Sequence, residues 1–285
     1  MKKINFDIDN ENQWCPGCGN FSILAAMKKA FIKLDLGPEN LLLVSGIGQA
    51  GKTPNFIACN MLHGLHGRAL PLATGAKIAN KDLNIIVNSG DGDCYGEGGN
   101  HFLSAIRRNI DITLLVHDNQ IYGLTKGQAS PTSSLGMPTK MQINGTTSSP
   151  LNVVATALAA GAKFVARGFS GDVEQLSRLI VKAIEHKGFS MIDIFQPCVS
   201  FNKINTNTWY KDRVFDLADT GHDTKDYEQA IKIAHMDMDK NSIPTGIICQ
   251  QTSIPFHDRL EILKEKPLYQ YDFSETKIKK IIKHA

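Results

Sequence analysis

A few groups of residues in this chain have types and spacings that suit chemistry. The run Gly90-Asp91-Gly92-Asp93 follows an apolar stretch, and a second apolar stretch ends in Asp118-Asn119. An acid and an amide, both hard oxygen donors, at adjoining strand ends would suit a magnesium ion carrying a diphosphate. Cys15 and Cys18 form a Cys-x-x-Cys pair in WCPGCG, and Cys198 stands alone in QPCVS. The pair places two thiols within reach of one metal or of each other, so a redox couple and half of a zinc site are both open. Gly46 to Thr53 satisfies the phosphate-loop pattern G-x-x-x-x-G-K-[ST] after a short apolar strand. Nucleotide hydrolysis is one reading of it. A glycine-rich turn for any ligand whose phosphates approach backbone amides is the other. His63 and His66 could ligate a metal, but the glycines around them fix their geometry poorly. One imidazole bonded to a phosphate or a ring is the preferred reading, with structural packing close behind.

These groups need a frame that brings strand ends together. Leu83–Val87 and Ile112–Val116 are short buried-type strands joined by an amphipathic stretch, which predicts a parallel βαβ unit. Asp91 and Asn119 would then lie side by side at carboxyl strand ends, where open α/β sheets bind ligands. Upstream, Phe21–Leu34 has helical periodicity with Asn20 as its expected cap, and Leu41–Ser45 reads as a strand. Pro71–Asn80 reads as a small-residue helix. Residues 122–150 are rich in Gly, Pro, Ser and Thr, and such a loop is placed to close over a ligand. Helix Val153–Ala160, strand Lys163–Ala166, helix Val173–His186 and strand Phe189–Phe195 continue the alternation. The expected fold is therefore α/β, a doubly wound and mostly parallel sheet. Residues 211–271 are weakly patterned, with a helix near Asp226–His235 and an apolar patch at Ile243–Cys249. Ser274–His284 reads as a lysine-rich amphipathic helix with a solvated basic face.

Composition narrows the function classes. With 285 residues the chain can bury a substantial core, and 42% hydrophobic and 21% charged residues are ordinary for a globular protein. A net charge of +3 without a basic, aromatic face gives no support for nucleic acid. No apolar run reaches the roughly 18 residues of a membrane span. MKKINFDIDN lacks the apolar core of a secretory signal. The expected compartment is the cytoplasm, where six cysteines serve as thiols or metal ligands rather than disulfides.

The motifs converge on one family. WCPGCG (14–19), SGIGQAGK (45–52), LHGRALPLATGAKIAN (65–80), GDGD (90–93), residues 98–133 and QPCVSFN (196–202) together resemble the β subunit of 2-oxoacid:ferredoxin oxidoreductases, especially the archaeal two-subunit type. GDG followed at a distance by Asn119 is a thiamine diphosphate signature of many enzymes, and the surrounding words narrow it to this family. The resemblance implies a thiamine-diphosphate-binding domain over residues 1–202. Residues 203–285 would form a C-terminal extension packing on it or on a partner subunit.

By this resemblance Asp91, Asn119 and the Ile121 carbonyl would hold magnesium. Ile47, Gly48, Gln49, Ala50, His66, Gly92, Asp93, Gly123 and Leu124 would contact the cofactor. Lys52 would then pair with the substrate carboxylate rather than a nucleotide. Cys15, Cys18 and Cys198 match three of four cysteines that hold a [4Fe-4S] cluster in the family, and Gln49 stands where the fourth belongs. A four-iron cluster with a non-cysteine ligand, a three-iron cluster and a labile site all remain open, with Cys59, Cys94 or Cys249 as conceivable substitutes. The implied activity is coenzyme-A-dependent oxidative decarboxylation of a 2-oxoacid, such as pyruvate or 2-oxoglutarate, with electrons passing to ferredoxin. It would require an α subunit, in a heterodimer or its dimer. A non-oxidative thiamine-dependent decarboxylase is the alternative, since it needs Asp91 and Asn119 but no cysteines. A nucleotidase and a non-catalytic assembly subunit are the readings from other classes.

Overall fold

A computed structural model describes residues 4–236, 242–272 and 274. The chain folds as helix α1 (Gly19–Lys33), strands β1 (Leu41–Ser45) and β2 (Asn60–His63), and helix α2 (Ala69–Ala79). Strand β3 (Asn84–Gly90), helix α3 (Gly99–Arg108) and strand β4 (Thr113–Asp118) follow, then the short pair β5 (Ile121–Tyr122) and β6 (Gln128–Ala129). Next come α4 (Val153–Ala159), β7 (Phe164–Phe169), α5 (Val173–Glu185) and β8 (Ser190–Phe195). The remaining elements are α6 (Asn207–Lys211), β9 (Val214–Asp216), α7 (Tyr227–Ala234), β10 (Ile243–Gln250) and α8 (Glu261–Glu265).

Eight strands form one sheet in the order β2-β1-β3-β4-β8-β7-β10-β9, and among these pairs only β10 with β7 is antiparallel. The central strands β1, β3, β4, β8 and β7 are buried on both faces, as a parallel sheet requires, while β2 at one edge is exposed. Alternate residues therefore enter different layers. Leu42, Val44, Ile85, Val87, Leu114 and Val116 pack with α2, α3, α4 and α7, while Leu41, Leu43, Ile86 and Leu115 pack with α1 and α5. This is the doubly wound α/β sheet expected from the alternating pattern. Its order reverses between β1 and β3, because the chain leaves β1 outward to β2 and returns to the other side. A crevice opens at the carboxyl ends of such strands. Val44 stands opposite Val87, and Gly90 opposite His117, so the three strands reach that crevice level with one another.

Element ends follow local signals. Asn152, Asp172 and Asp226 each accept a hydrogen bond from a backbone N–H three residues on, capping α4, α5 and α7. Asn109 ends α3 in the left-handed region at φ 54°. The expected cap of α1 is different. That helix starts at Gly19, and Asn20 is fully buried with its Oδ1 2.7 Å from His117 Nδ1. His117 Nε2 lies 2.9 Å from Asn88 Nδ2. Burial pushes the His117 pKa down to about 3, so the ring is neutral and can donate to Asn20 while accepting from Asn88. Asn20 thus ties α1 to the sheet instead of capping it. Residues beyond 202 extend the same sheet, with β10 against β7 and β9 at the edge. The expected Ser274–His284 helix lies outside the described residues apart from Ser274.

Candidate functional site

The crevice is built from three loops gathered by one carboxylate. Asp93 opens a π-helical turn (Gly92–Glu97) after β3 and is 3% exposed. Its Oδ1 accepts from Gly67 N at 2.8 Å and Ile47 N at 3.1 Å, and lies 2.9 Å from His66 Nδ1. Its Oδ2 accepts from Ser89 Oγ at 2.5 Å. The loops after β1, β2 and β3 therefore meet on a single side chain. Gly46 makes this possible, because a Cβ there would lie 1.7 Å from Asp93 Oδ2. Gly46→Ala should displace Asp93 and destabilise the fold by about 1–3 kcal/mol through overpacking, a change that urea unfolding would measure.

Asp91 is 2% exposed at the start of the same turn. Ser130 Oγ and Thr132 Oγ1 donate to its Oδ2 at 2.5 and 2.7 Å, which fixes the carboxylate's rotation. Thr132 Oγ1 is also 2.7 Å from Asp118 Oδ1. Burial, then Asp193 and Asp91, push the Asp118 carboxyl well above the usual range. Protonated, Asp118 can donate to Thr132, which donates on to Asp91. Of the stretch 122–150 expected to close over a ligand, residues 122–125 line the crevice, while Ser130, Thr132 and Ser133 are buried, Ser130 and Thr132 against Asp91. Its aperiodic sequence carried no sign of this.

Asn119 Oδ1 accepts from Ile121 N at 3.0 Å, turning the chain so that Asn119 and Ile121 both line the crevice. The lining combines Ile47, Gly48, Gln49, Ala50 and His66 with Gly90, Asp91, Gly92 and Asp93, and closes with Asn119 and residues 121–125. Every residue expected at magnesium or cofactor is brought together here. The crevice encloses about 520 Å³ including its open mouth, far more than a metal ion needs. Gly48, at φ 97°, and Gly90 would each direct a Cβ into open space, so bare backbone faces the cleft at both turns. Asp91, the Asn119 amide and the Ile121 carbonyl form an all-oxygen donor set of the kind magnesium takes. The residues present fit a magnesium diphosphate.

Lys52 lies half-buried on the turn after Gln49 and lines neither this crevice nor the pocket beside it. The two histidines separate, His63 Nδ1 lying 2.8 Å from Ser45 Oγ while His66 faces Asp93. They make no shared metal site.

That neighbouring pocket is lined by Trp14, Cys15, Cys18 and Cys198, together with Gln49, Asn119, Gly123, Gln196 and residues 199–201. Gly17 turns the Cys15–Cys18 segment at φ 78°, and Cys18 N donates to Cys15 O at 3.0 Å. Cys198 arrives from the end of β8. Gln196 Nε2 donates to Cys18 Sγ at 3.3 Å, while its Oε1 accepts from Asn119 Nδ2 at 3.4 Å. Ser200 Oγ donates to Cys15 Sγ at 3.1 Å. Burial pushes the Cys18 thiol up to about 11, so a metal entering here must displace its proton. Among the described residues no three His, Cys, Asp or Glu side chains are set to hold a single metal ion. The half-zinc-site reading therefore gains no further ligand. Cys15, Cys18 and Cys198 line this one pocket, and thiolates are the donors that iron–sulfur clusters take. Gln49, Asn119 and Gly123 line both cavities and form the wall between them.

Comparison with known proteins agrees with this geometry. Residues 46–194 match the family model of the thiamine pyrophosphate enzyme C-terminal TPP-binding domain. Fold and site thus define a thiamine-diphosphate-binding domain. Residues 198–265 match the C-terminal model of the pyruvate ferredoxin oxidoreductase beta subunit. The chain is 52% identical over 208 residues to a 2-oxoacid:ferredoxin oxidoreductase subunit beta of Saccharolobus solfataricus, covering 72% of this chain and 68% of that protein. To the same subunit of a Sulfolobus species it is 43% identical, over 93% of this chain and 90% of the relative. It also superposes, at a TM-score of 0.90 and 35% identity, on a 2-oxoglutarate:ferredoxin oxidoreductase chain from Magnetococcus marinus. The match spans 99% of this chain and 96% of that one, whose structure holds 2-oxoglutarate, coenzyme A and succinyl-CoA. The chain belongs to the beta subunits of the 2-oxoacid:ferredoxin oxidoreductases. It is one subunit of an oxidoreductase, and the beta designation of its relatives implies an alpha partner. No helix among the described residues is long and apolar enough to cross a membrane.

Proposed function

We propose that this chain, joined to its alpha subunit, carries out coenzyme-A-dependent oxidative decarboxylation of a 2-oxoacid and passes the electrons through an iron–sulfur cluster to ferredoxin. The observation that carries this reading is the wall of Gln49, Asn119 and Gly123 shared by the thiamine cleft and the cysteine pocket. Electrons released in one cavity have a short way into the other. A non-oxidative decarboxylase has no use for three thiols at that wall.

Asp91, Asn119 and the Ile121 carbonyl would hold magnesium, and residues 47–50, His66, Gly92, Asp93, Gly123 and Leu124 would line the diphosphate and ring. Cys15, Cys18 and Cys198 would hold the cluster. When bound, thiamine diphosphate supplies an electron sink beside the keto carbon of the substrate, and the cluster accepts electrons singly. The protein's own part is to hold and orient. Ser130 and Thr132 fix Asp91, Asp93 locks three loops, and Asn119 sets the Ile121 carbonyl. Residues 203–285 would serve as a C-terminal extension that packs on the 1–202 domain or on the partner subunit. The free thiols fit a reducing cytoplasm, which cell fractionation would check.

The test is co-production with the alpha subunit and assay of dye reduction against a panel of 2-oxoacids. Reduction should require coenzyme A. Carbon dioxide release without coenzyme A and without dye reduction would establish the non-oxidative alternative instead. In the same assay Lys52→Ala should raise KM for the 2-oxoacid, with the alpha subunit or the substrate itself closing the gap between Lys52 and the cleft. An unchanged KM and kcat would remove Lys52 from the site.

A further inference from the structure

Gln49 Oε1 is buried and has no hydrogen-bond partner. It belongs to a side chain lining the pocket of Cys15, Cys18 and Cys198. Leaving a buried acceptor unpaired is costly, so an unpartnered oxygen on a residue that lines the pocket of three thiols points to a ligand rather than to packing. The residue is held in place. Its carbonyl accepts from Trp14 Nε1 at 2.8 Å and from Lys52 N at 3.3 Å. The neighbouring donors are already committed, Gln196 Nε2 to Cys18 and Ser200 Oγ to Cys15. No other cysteine reaches the pocket. Cys94 and Cys249 are buried in the layer beneath α2 and α3, and Cys59 packs against the opposite layer.

We infer that the Gln49 carboxamide oxygen takes the fourth ligand position of the cluster, and that this corner is therefore exchangeable. The inference rests on the cluster reading proposed above. An oxygen donor holds iron less firmly than thiolate does in such a set. Under a one-electron oxidant such as ferricyanide the corner should open. The [4Fe-4S]2+ form then becomes [3Fe-4S]+ with release of one Fe2+, and the electron reduces ferricyanide to ferrocyanide. Ferrous iron with dithionite should reverse it.

The experiment uses the complete complex with its alpha subunit, purified without oxygen and assayed for iron, sulfide and electron paramagnetic resonance. Wild type should develop a three-iron signal with one equivalent of ferricyanide and lose it on reconstitution. Gln49→Cys should reduce that signal at least roughly tenfold, by supplying a thiolate. Gln49→Ala should release one Fe2+ per cluster without added oxidant, leaving [3Fe-4S]0 with three irons to four sulfides, and its three-iron signal should appear in full once ferricyanide removes one electron. Equal behaviour of wild type and Gln49→Cys, or of wild type and Gln49→Ala, would overturn the role of Gln49 while leaving the cluster in place. Absence of iron and sulfide from both wild type and Gln49→Cys would overturn the cluster reading itself, and the inference with it.

Discussion

Asp91→Ala should abolish the magnesium-dependent stabilisation of the complex by thiamine diphosphate. A ligand specific to the native state at a hundredfold excess over its Kd contributes about 2.7 kcal/mol. Wild type should show the corresponding rise in melting temperature only when magnesium and cofactor are both present. The substitution removes the one carboxylate in the oxygen set with Asn119 and Ile121, and leaves Ser130 and Thr132 without their acceptor. Coenzyme-A-dependent activity should fall by more than about 100-fold, since loss of groups that merely orient a metal ligand already costs 10–100-fold. Thr132→Val keeps the volume and deletes the hydroxyl, so it should fall within that smaller range. If Asp91→Ala retained the melting shift, the metal would be elsewhere.

Asp93→Ala should act on the fold as strongly as on the site. Four donors from two loops and strand β3 converge on this carboxylate, those of Ile47, Gly67, His66 and Ser89. Removing it leaves buried donors unmet, and the expected cost is roughly 3–5 kcal/mol in urea unfolding. Asp93→Asn keeps one carbonyl oxygen and should lose about half as much. The expected pattern is a lowered unfolding midpoint together with weaker cofactor binding, because the loops after β1 and β2 supply much of the cleft lining. Unchanged stability in Asp93→Ala would mean that the loops hold their places without this brace.

The parts of the site visible in the sequence are those carried by local patterns. The apolar runs ending near Asp91 and Asn119 announce buried parallel strands, and their level ends follow from the βαβ geometry. The cysteines are recognisable by type, and Cys198 by its place just after a strand. Long-range partners left no such mark. Asn20 has the composition of a helix cap, yet its oxygen is used by His117, nearly a hundred residues away in sequence. Ser130 and Thr132 sit in an aperiodic polar loop, and only the folded chain shows them against Asp91. The phosphate-loop pattern misled in the opposite way. Gly46 is needed for the approach of Asp93, and Lys52 does not line the cleft that the pattern would have it serve. Strand β2 was hidden because its residues are exposed, and β10 because Pro244 and Gly246 interrupt its apolar run.

The central claim is that the thiamine cleft and the cysteine pocket form one electron route across a shared wall. Electron paramagnetic resonance of the anaerobic complex, before and after addition of a 2-oxoacid it turns over with coenzyme A, tests this directly. In wild type a reduced-cluster signal should appear on substrate addition. Asp91→Ala should keep its iron and sulfide but show no such signal. A cluster that stays oxidised while wild type releases carbon dioxide, or one that is reduced equally well in Asp91→Ala, would contradict the account.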